Sequence, residues 1–366
     1  MRIAFYAPLK PPDHPVPSGD RRMAQLFFEA VRLAGHEPLL VSRFRSYDGG
    51  GDRIRQGRLA ALGRRLAQCQ LSQWRGSLAL APNLWFSYHV YHKAPDWLGP
   101  IVADGLGIPY VAAEASIAPS QAQGSWALGH RATECAIRQA AAVIGLNPSD
   151  RECVLPSLGD PGRWVAFKPF IDAQFYDRNT RREGDPPRLI TVAMMRPGDK
   201  LTSYEILGDA LSRLVDLPWS LEVVGDGPAR CDVSRIFAAL RGRVSWMGSL
   251  DREAVAERLA AADLCVWPAH NEAFGMALLE AQASGLPVVA GATGGVEEIV
   301  ASGRTGLLVP AGDAPAFAAA VRSLIVDRER RSAFGAAARR RILRDHDLPI
   351  AARSLADVLD RACCLI

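Results

Sequence analysis

The 366-residue chain has no apolar run of about eighteen residues, the length a membrane-spanning helix needs. Its opening, MRIAFYAPLKPPDHP, has neither the apolar stretch nor the small-residue cleavage site of a signal peptide. The expectation is an intracellular, cytoplasmic protein whose first strand starts at Arg2. Cysteines are few and scattered, seven in all, with no Cys-x-x-Cys spacing, which excludes a zinc ribbon or a thioredoxin-type redox motif. The final CCLI resembles a prenylation tetrapeptide, but in a chain so rich in arginine and alanine it reads as a chance match. A strong excess of one charge is also lacking. The net charge is +4, with 19 Lys and Arg against 14 Asp and Glu in residues 1–175. That excludes the basic stripe of a nucleic-acid binder and suits an acidic small ligand or an anionic membrane surface.

What is present is a regular alternation of short apolar runs with amphipathic stretches, the pattern of parallel sheets covered by helices, so the fold class is α/β. Strands are expected at 2–8, 37–44, 84–88, 108–114, 141–146 and 163–169, with helices notably at 19–35 and 125–140. After DRNTRREGDPP (177–187), which has no hydrophobic residue and ends in two prolines, the alternation restarts at 189–194, 220–225, 243–248, 263–268, 287–291 and 305–310. This divides the chain into a first domain, 1–176, a linker, 177–187, a second domain, 188–345, and a C-terminal helix, 346–366, that could pack back on the first domain. Residues 53–69 read as a basic amphipathic helix, with Leu59, Leu62 and Leu66 at helical spacing and Arg58, Arg64 and Arg65 around them. A solvated charged face and a contact with anionic lipid are both open for it.

The most informative stretch is NEAFGMALLEAQASGLPVVA (271–290). It reads as a loop, a helix at about 275–284, a Gly285 stop and a new strand. The helix start would present the backbone N–H groups of Phe274, Gly275 and Met276 to an anion, and Gly275 would let a phosphate approach closely. On one regular helix Glu272 and Glu280 would lie about 12 Å apart along the axis. The carboxylates of a glycosidase need about 5–9.5 Å, so this pair fits two ends of one extended ligand better. Arg196 and Lys200, in MMRPGDK after strand 189–194, would supply positive charge for a diphosphate. VGDGPAR (224–230) is a glycine-rich turn, weak on its own.

Taken in order, MMRPGDK, VGDGP, VSWMGSL, NEAFGMALLE with its Glu-x7-Glu and GGVEEIVASGRTGLLVPAGD resemble glycosyltransferase family 4 over residues 189–325. The resemblance implies the GT-B architecture of two Rossmann-like doubly wound domains facing across a cleft. It implies a retaining enzyme that moves a hexose-type sugar from a nucleotide diphosphate sugar to an acceptor hydroxyl. It would have Glu272 against the donor sugar, Glu280 on the ribose, main-chain contacts from Phe274, Gly275 and Met276, Arg196 and Lys200 on the departing diphosphate, and Met247 and Leu250 beside the base. It implies no metal and no cofactor beyond the nucleotide-sugar co-substrate, and no Asp-x-Asp motif stands near a strand end. PSGDRRMAQLFFEAVRLAGHEPLLVS (17–42) resembles the family's first loop and helix, with Gly19 at the position that approaches the donor phosphate and Ser18 in place of a first glycine. Arg196 and Lys200 stand one residue closer than is common. After strand 108–113, where the family often has a histidine, this chain has Glu114-Ala115-Ser116. Glu114, Ser116, His89 and His92 are therefore the candidates for the acceptor side. The acceptor stays open between glycan, lipid-linked and small-molecule classes. An epimerase or an inactive sugar-nucleotide binder are the alternatives, and the absence of Gly-x-Gly-x-x-Gly after either first strand argues against a dinucleotide oxidoreductase.

Overall fold

The computed structural model describes residues 1–178, 186–272 and 275–364. The chain forms two compact units, Met1–Lys168 with Leu348–Ile366, and Pro169–Asp347. The first runs β1 (Arg2–Tyr6), α1 (Gly19–Leu33), β2 (Glu37–Leu40), α2 (Arg53–Gly76), β3 (Leu84–Val90), α3 (Gly99–Leu106), β4 (Tyr110–Ala115), α4 (Ala127–Gln139), β5 (Ala142–Gly145), α5 (Asp150–Leu158) and β6 (Trp164–Ala166). The second runs β7 (Arg188–Val192), α6 (Asp199–Ser212), β8 (Ser220–Val224), α7 (Arg230–Ile236), β9 (Val244–Gly248), α8 (Arg252–Ala261), β10 (Leu264–Trp267), α9 (Met276–Ala283), β11 (Val288–Gly291), α10 (Val296–Ile299), β12 (Gly306–Val309), α11 (Ala314–Val326) and α12 (Arg328–Arg341). A last helix, α13 (Leu348–Cys363), belongs to the first unit and packs on α1.

Each expected strand is present, and each sheet has six parallel strands. Their continuous apolar runs follow from burial on both faces. Ile3 to Tyr6 and Leu84 to Phe86 are fully buried, and Phe27 of α1 lies 5.6 Å from Phe86 and 5.4 Å from Tyr88, ring to ring. The first sheet has the order β2-β1-β3-β4-β5-β6, and the second β12-β11-β10-β7-β8-β9. The strand order therefore reverses between β1 and β3 in one unit and between β7 and β10 in the other. In open α/β sheets the crevice for a ligand opens there, beyond the carboxyl ends of the strands.

Two expectations are corrected. The segment up to Tyr176, read as part of the first domain, belongs to the second unit from Pro169 on, because its backbone is tied to the end of that unit. Ile171 N–H donates to His346 O at 2.8 Å, Ala173 N–H to Asp347 Oδ1 at 3.0 Å, and His346 Nδ1 lies 2.7 Å from Pro169 O. Of the linker, residues 179–185 lie outside the described residues. Helix α2 also runs further than residue 69, to Gly76. Gln56, Ala60, Gly63, Ala67, Leu71 and Trp74 turn inward, while Leu62 is 45% exposed and Leu59 and Leu66 are half-buried. The reason is close approach: a Cβ on Gly63 would run into Trp97, and one on Gly105 of α3 would meet Leu71 Cδ2 at 2.7 Å. Small residues stand at the points of closest approach, Leu62 turns outward, and Leu66 packs at the margin of the core.

Asp96, buried behind β3 and β4, accepts hydrogen bonds from the Leu98 and Gly99 N–H groups at 2.8 Å each, from Tyr110 OH at 3.1 Å and from Ser87 Oγ. Burial pushes its carboxyl above the usual range even so. Asp96→Ala would leave those four donors buried and unmatched, a loss of about 3–5 kcal/mol. A lowered urea midpoint, at unchanged slope, is the expected measurement.

Candidate functional site

At the reversal point of the second unit, the loop after β7 meets the loop after β10. Lys200, in the first turn of α6, forms an ion pair with Glu272 Oε2, and Trp267 Nε1 donates to the same oxygen at 3.3 Å. The ammonium also lies 5.4 Å from the Trp267 ring centre, a cation–π distance. Around this pair, Asn271 Nδ2 donates to Asp199 Oδ2 at 3.1 Å, and His270 N–H to Ser203 Oγ at 3.0 Å. The loop is strained: Ala269 and Asn271 have φ of 54° and 51°. Helix α9 starts at Met276 behind Gly275, whose φ of 70° is left-handed, and no side chain caps it. Leu278 N–H bonds back to Gly275 O at 2.9 Å. Glu272 thus sits in a turn before the helix, so the axial separation of one continuous helix does not apply to the two glutamates.

Other expected site residues stand apart from the Lys200–Glu272 pair. Arg196 is exposed on the β7 loop and makes no ion pair among the described residues. That loop is held by the glycine turn after β8. Met195 N–H donates to Asp226 O at 3.0 Å, and a Cβ on Gly225 or Gly227 would strike the Ala193 or Met195 carbonyl. A turn that carried little weight in the sequence is therefore the support of MMRPGDK. Glu280 is half-buried against β10, where burial first and the Glu280 charge second push the Cys265 thiol up to about 12. Met247 and Leu250 are half-buried at the end of β9. Phe274 lies outside the described residues, and Gly19 is the exposed first residue of α1, behind the Ser18 cap.

The reversal point of the first unit gathers a second polar set. His89 Nδ1 lies 3.2 Å from Asp20 Oδ1, and Asp150 and Tyr88 are each close enough to Glu114 to alter its titration. Burial lowers the imidazole's affinity for its proton, but Glu114 and Asp20 outweigh it and hold His89 at about 8. Burial raises Glu114 to about 7 against the pull of His89 and Tyr88. His92 lies elsewhere, its ring 5.8 Å from Trp126, and Ser116 is half-buried beyond β4. Among the described residues, no group of three or more His, Cys, Asp or Glu side chains is arranged to hold a metal ion, and no helix is long and apolar enough to cross a membrane.

Residues 186–327 match the family model of glycosyl transferases group 1. That span contains Arg196, Lys200, Glu272 and Glu280. Relatives include a sulfoquinovosyl transferase of Arabidopsis thaliana, 32% identical over 43% of this chain and 30% of its own length. A D-inositol 3-phosphate glycosyltransferase of Geodermatophilus obscurus is 33% identical over 48% of this chain and 43% of its own. An alpha-D-kanosaminyltransferase of Streptomyces kanamyceticus is 30% identical over 56% and 55%. The chain thus spans about half or less of the length of these relatives. Among solved structures, Anabaena HepE in complex with UDP and glucose aligns with a TM-score of 0.74 at 18% identity, over 98% of this chain and 99% of that one. Sucrose-phosphate synthase from Thermosynechococcus elongatus aligns with a TM-score of 0.73 at 20% identity over the whole of both chains. The fold, a pair of Rossmann-like domains, is shared with these solved structures.

Sequence reasoning missed Trp267, Asp20 and Tyr88. Trp267 ends β10 just before the glutamate loop, and Asp20 follows Gly19 in the first turn of α1, so position at a strand's carboxyl end was the available signal. The His89–Glu114 pair has a readable consequence for stability. Both groups hold their protons more tightly in the fold than in the open chain, where the ordinary values are 6.5 and 4.5. Stability should therefore fall as pH rises, from about 4.5 through 7 for Glu114 and from about 6.5 through 8 for His89. Thermal melts from about pH 5 to about pH 8 are expected to show this decline, and Glu114→Gln to flatten it.

Proposed function

We propose that this protein is a retaining glycosyltransferase that moves a hexose-type sugar from a nucleotide diphosphate sugar to an acceptor hydroxyl. The observation that carries the reading is the Lys200–Glu272–Trp267 set beside the uncapped start of α9, inside the span that matches the group 1 family model. Several relatives are named as glycosyltransferases, and a structural neighbour was solved with UDP-glucose, which supports the donor class. Glu272, already placed to accept hydrogen bonds, would exchange its partner Lys200 for hydroxyls of the donor sugar. Lys200, released from the pair, and the exposed Arg196 would take the diphosphate, whose negative charge grows as its bond to the sugar breaks. The free N–H groups at Gly275 and Met276 would complete that anion site. Glu280 would hold the ribose, and Met247 and Leu250 would border the base.

In this mechanism the bond from the anomeric carbon to the diphosphate oxygen breaks as the acceptor oxygen approaches from the same face. The acceptor's proton passes to the departing diphosphate oxygen. No protein nucleophile takes part, and Lys200, Arg196 and backbone amides supply the positive charge, so the reaction as proposed uses no metal. Titration calorimetry with a nucleotide panel should show a nucleoside diphosphate bound and NAD not. With the matching donor, Glu272→Ala or Lys200→Ala should reduce turnover by about 10²–10³-fold. Unchanged turnover in Glu272→Ala would sink the assignment, and a changed sugar released without an acceptor would make the protein an epimerase.

Cytoplasmic location with peripheral membrane contact belongs to the same proposal. The exposed side of α2 carries Ile54 and Leu62 among Arg53, Arg55, Arg58, Arg64 and Arg65. Salt-sensitive binding to anionic liposomes, lost when Arg58, Arg64 and Arg65 become alanine, is the expected result; no binding at low salt excludes it.

A further inference from the structure

The polar set at the β1/β3 reversal point has no part in holding the donor as described above. Its backbone is unusual in a matched way. The register of β3 and β4 pairs Tyr88 with Ala113 and Val90 with Ala115, but the rung between them, His89 opposite Glu114, is broken. Both residues have a left-handed backbone there, φ 61° and 54°. Neither is glycine or asparagine, the residues that adopt this conformation at least cost, so the two strands keep a strained kink for the sake of these two side chains. The kink alters the alternation and brings imidazole and carboxyl together with Asp20 and Asp150. Inside the set, Glu114 Oε2 and the Tyr88 hydroxyl are shut off from solvent, and the Tyr88 hydroxyl and the Glu114 carboxyl interact with each other. Tyr88 as a residue is 1% exposed. The opposite side is open, with the Asp20 side chain 42% exposed and that of His89 20%.

Two further features define the ligand. The Tyr91 ring stands 5.0 Å from the His89 ring, and Tyr47 is close to it, giving an aromatic flank of the kind that meets the C–H face of a sugar-like ring. The charge is the other. In a half of the chain that is net basic, three carboxylates surround one imidazole, with Lys10 near Asp20. A phosphate or carboxylate brought here would face Asp20, Glu114 and Asp150 at once, whereas a hydroxyl or an ammonium would bring these carboxylates a further donor.

We propose that Asp20, His89 and Glu114, flanked by Tyr91, form an acceptor subsite for a sugar or cyclitol ring that carries no negative charge, amino-bearing rings included. A hydroxyl or ammonium of the ring donates to Glu114, a ring oxygen accepts from the His89 N–H, and Tyr91 covers the apolar face. The inference rests on the glycosyltransferase reading and narrows its acceptor.

The test is a titration of the full chain with isotope-labelled histidine. The His89 resonance is followed as glucose, glucosamine or myo-inositol is added, each against its phosphate ester. At least one uncharged or amino-bearing ring should shift His89 at millimolar concentration, and its ester should bind at least about tenfold more weakly. Glu114→Gln should weaken the ring at least about tenfold. Glu114→Gly, which relieves the left-handed backbone, should melt no lower than the parent yet lose the ring, a combination that a purely structural role would not give. Asp20→Asn, at the open side, provides a second variant should either Glu114 change impair folding; it too should weaken the ring. Esters that bind as well as the parent rings, a ring affinity unchanged in Glu114→Gln and Asp20→Asn, or no shift of His89 by any of the six compounds would each overturn the proposal. Nucleotide binding is measured in parallel on the parent chain. Its absence would refute the glycosyltransferase reading and leave the ring-binding result to stand or fall separately.

Discussion

A parallel strand cannot return to its neighbour by a tight turn, so every connection here must cross a face of the sheet, and almost every one does so as a helix. That single constraint fixes much else. It buries both faces and makes the strands apolar throughout, and it leaves the carboxyl ends of all strands on one edge, where polar side chains can gather. Where neighbouring crossovers pass to opposite faces they part, and the edge opens. Both units use this opening in the same manner, with a carboxylate set against a cation: Glu272 with Lys200 in one, Asp20 with His89 in the other.

The fold was readable because period and punctuation are local properties. RIAFY, LWFSY or LCVW announce buried strands without reference to anything distant, and all twelve strands among the described residues lie where such runs occur. The Lys200–Glu272 pair was readable for a related reason, since Glu272 lies in the loop after β10 and Lys200 in the first turn of the helix after β7. What could not be read depends on contact between distant segments. Nothing in RIRQGRLAALGRRLAQC says that Gly63 must lie against Trp97, so the face this helix buries was open. Nor does EAS at the end of β4 reveal that Glu114 faces His89 across a broken rung. That pairing arises from register, which neither strand contains alone.

Both openings are also places where the backbone departs from its comfortable regions. Ala269, Asn271, His89 and Glu114, the non-glycine residues with positive φ among the described residues, lie beside these two sites and nowhere else. Such residues lower stability wherever they occur, so their confinement to the two edges separates the part of the chain that holds the fold from the two edges proposed to hold ligands.

Helix α13 has a bearing on how the protein is made. It turns Leu348, Ala351, Ala352, Leu355, Val358, Leu359 and Ala362 inward and packs on α1, yet it follows the whole of the second unit in the chain. During synthesis the first unit leaves the ribosome early with the seat of this helix bare, and it stays so while residues 169–347 are added. The second unit, whose segments are contiguous, can close first. The nascent first unit therefore waits, incomplete and sticky, for residues translated after the whole of the second unit.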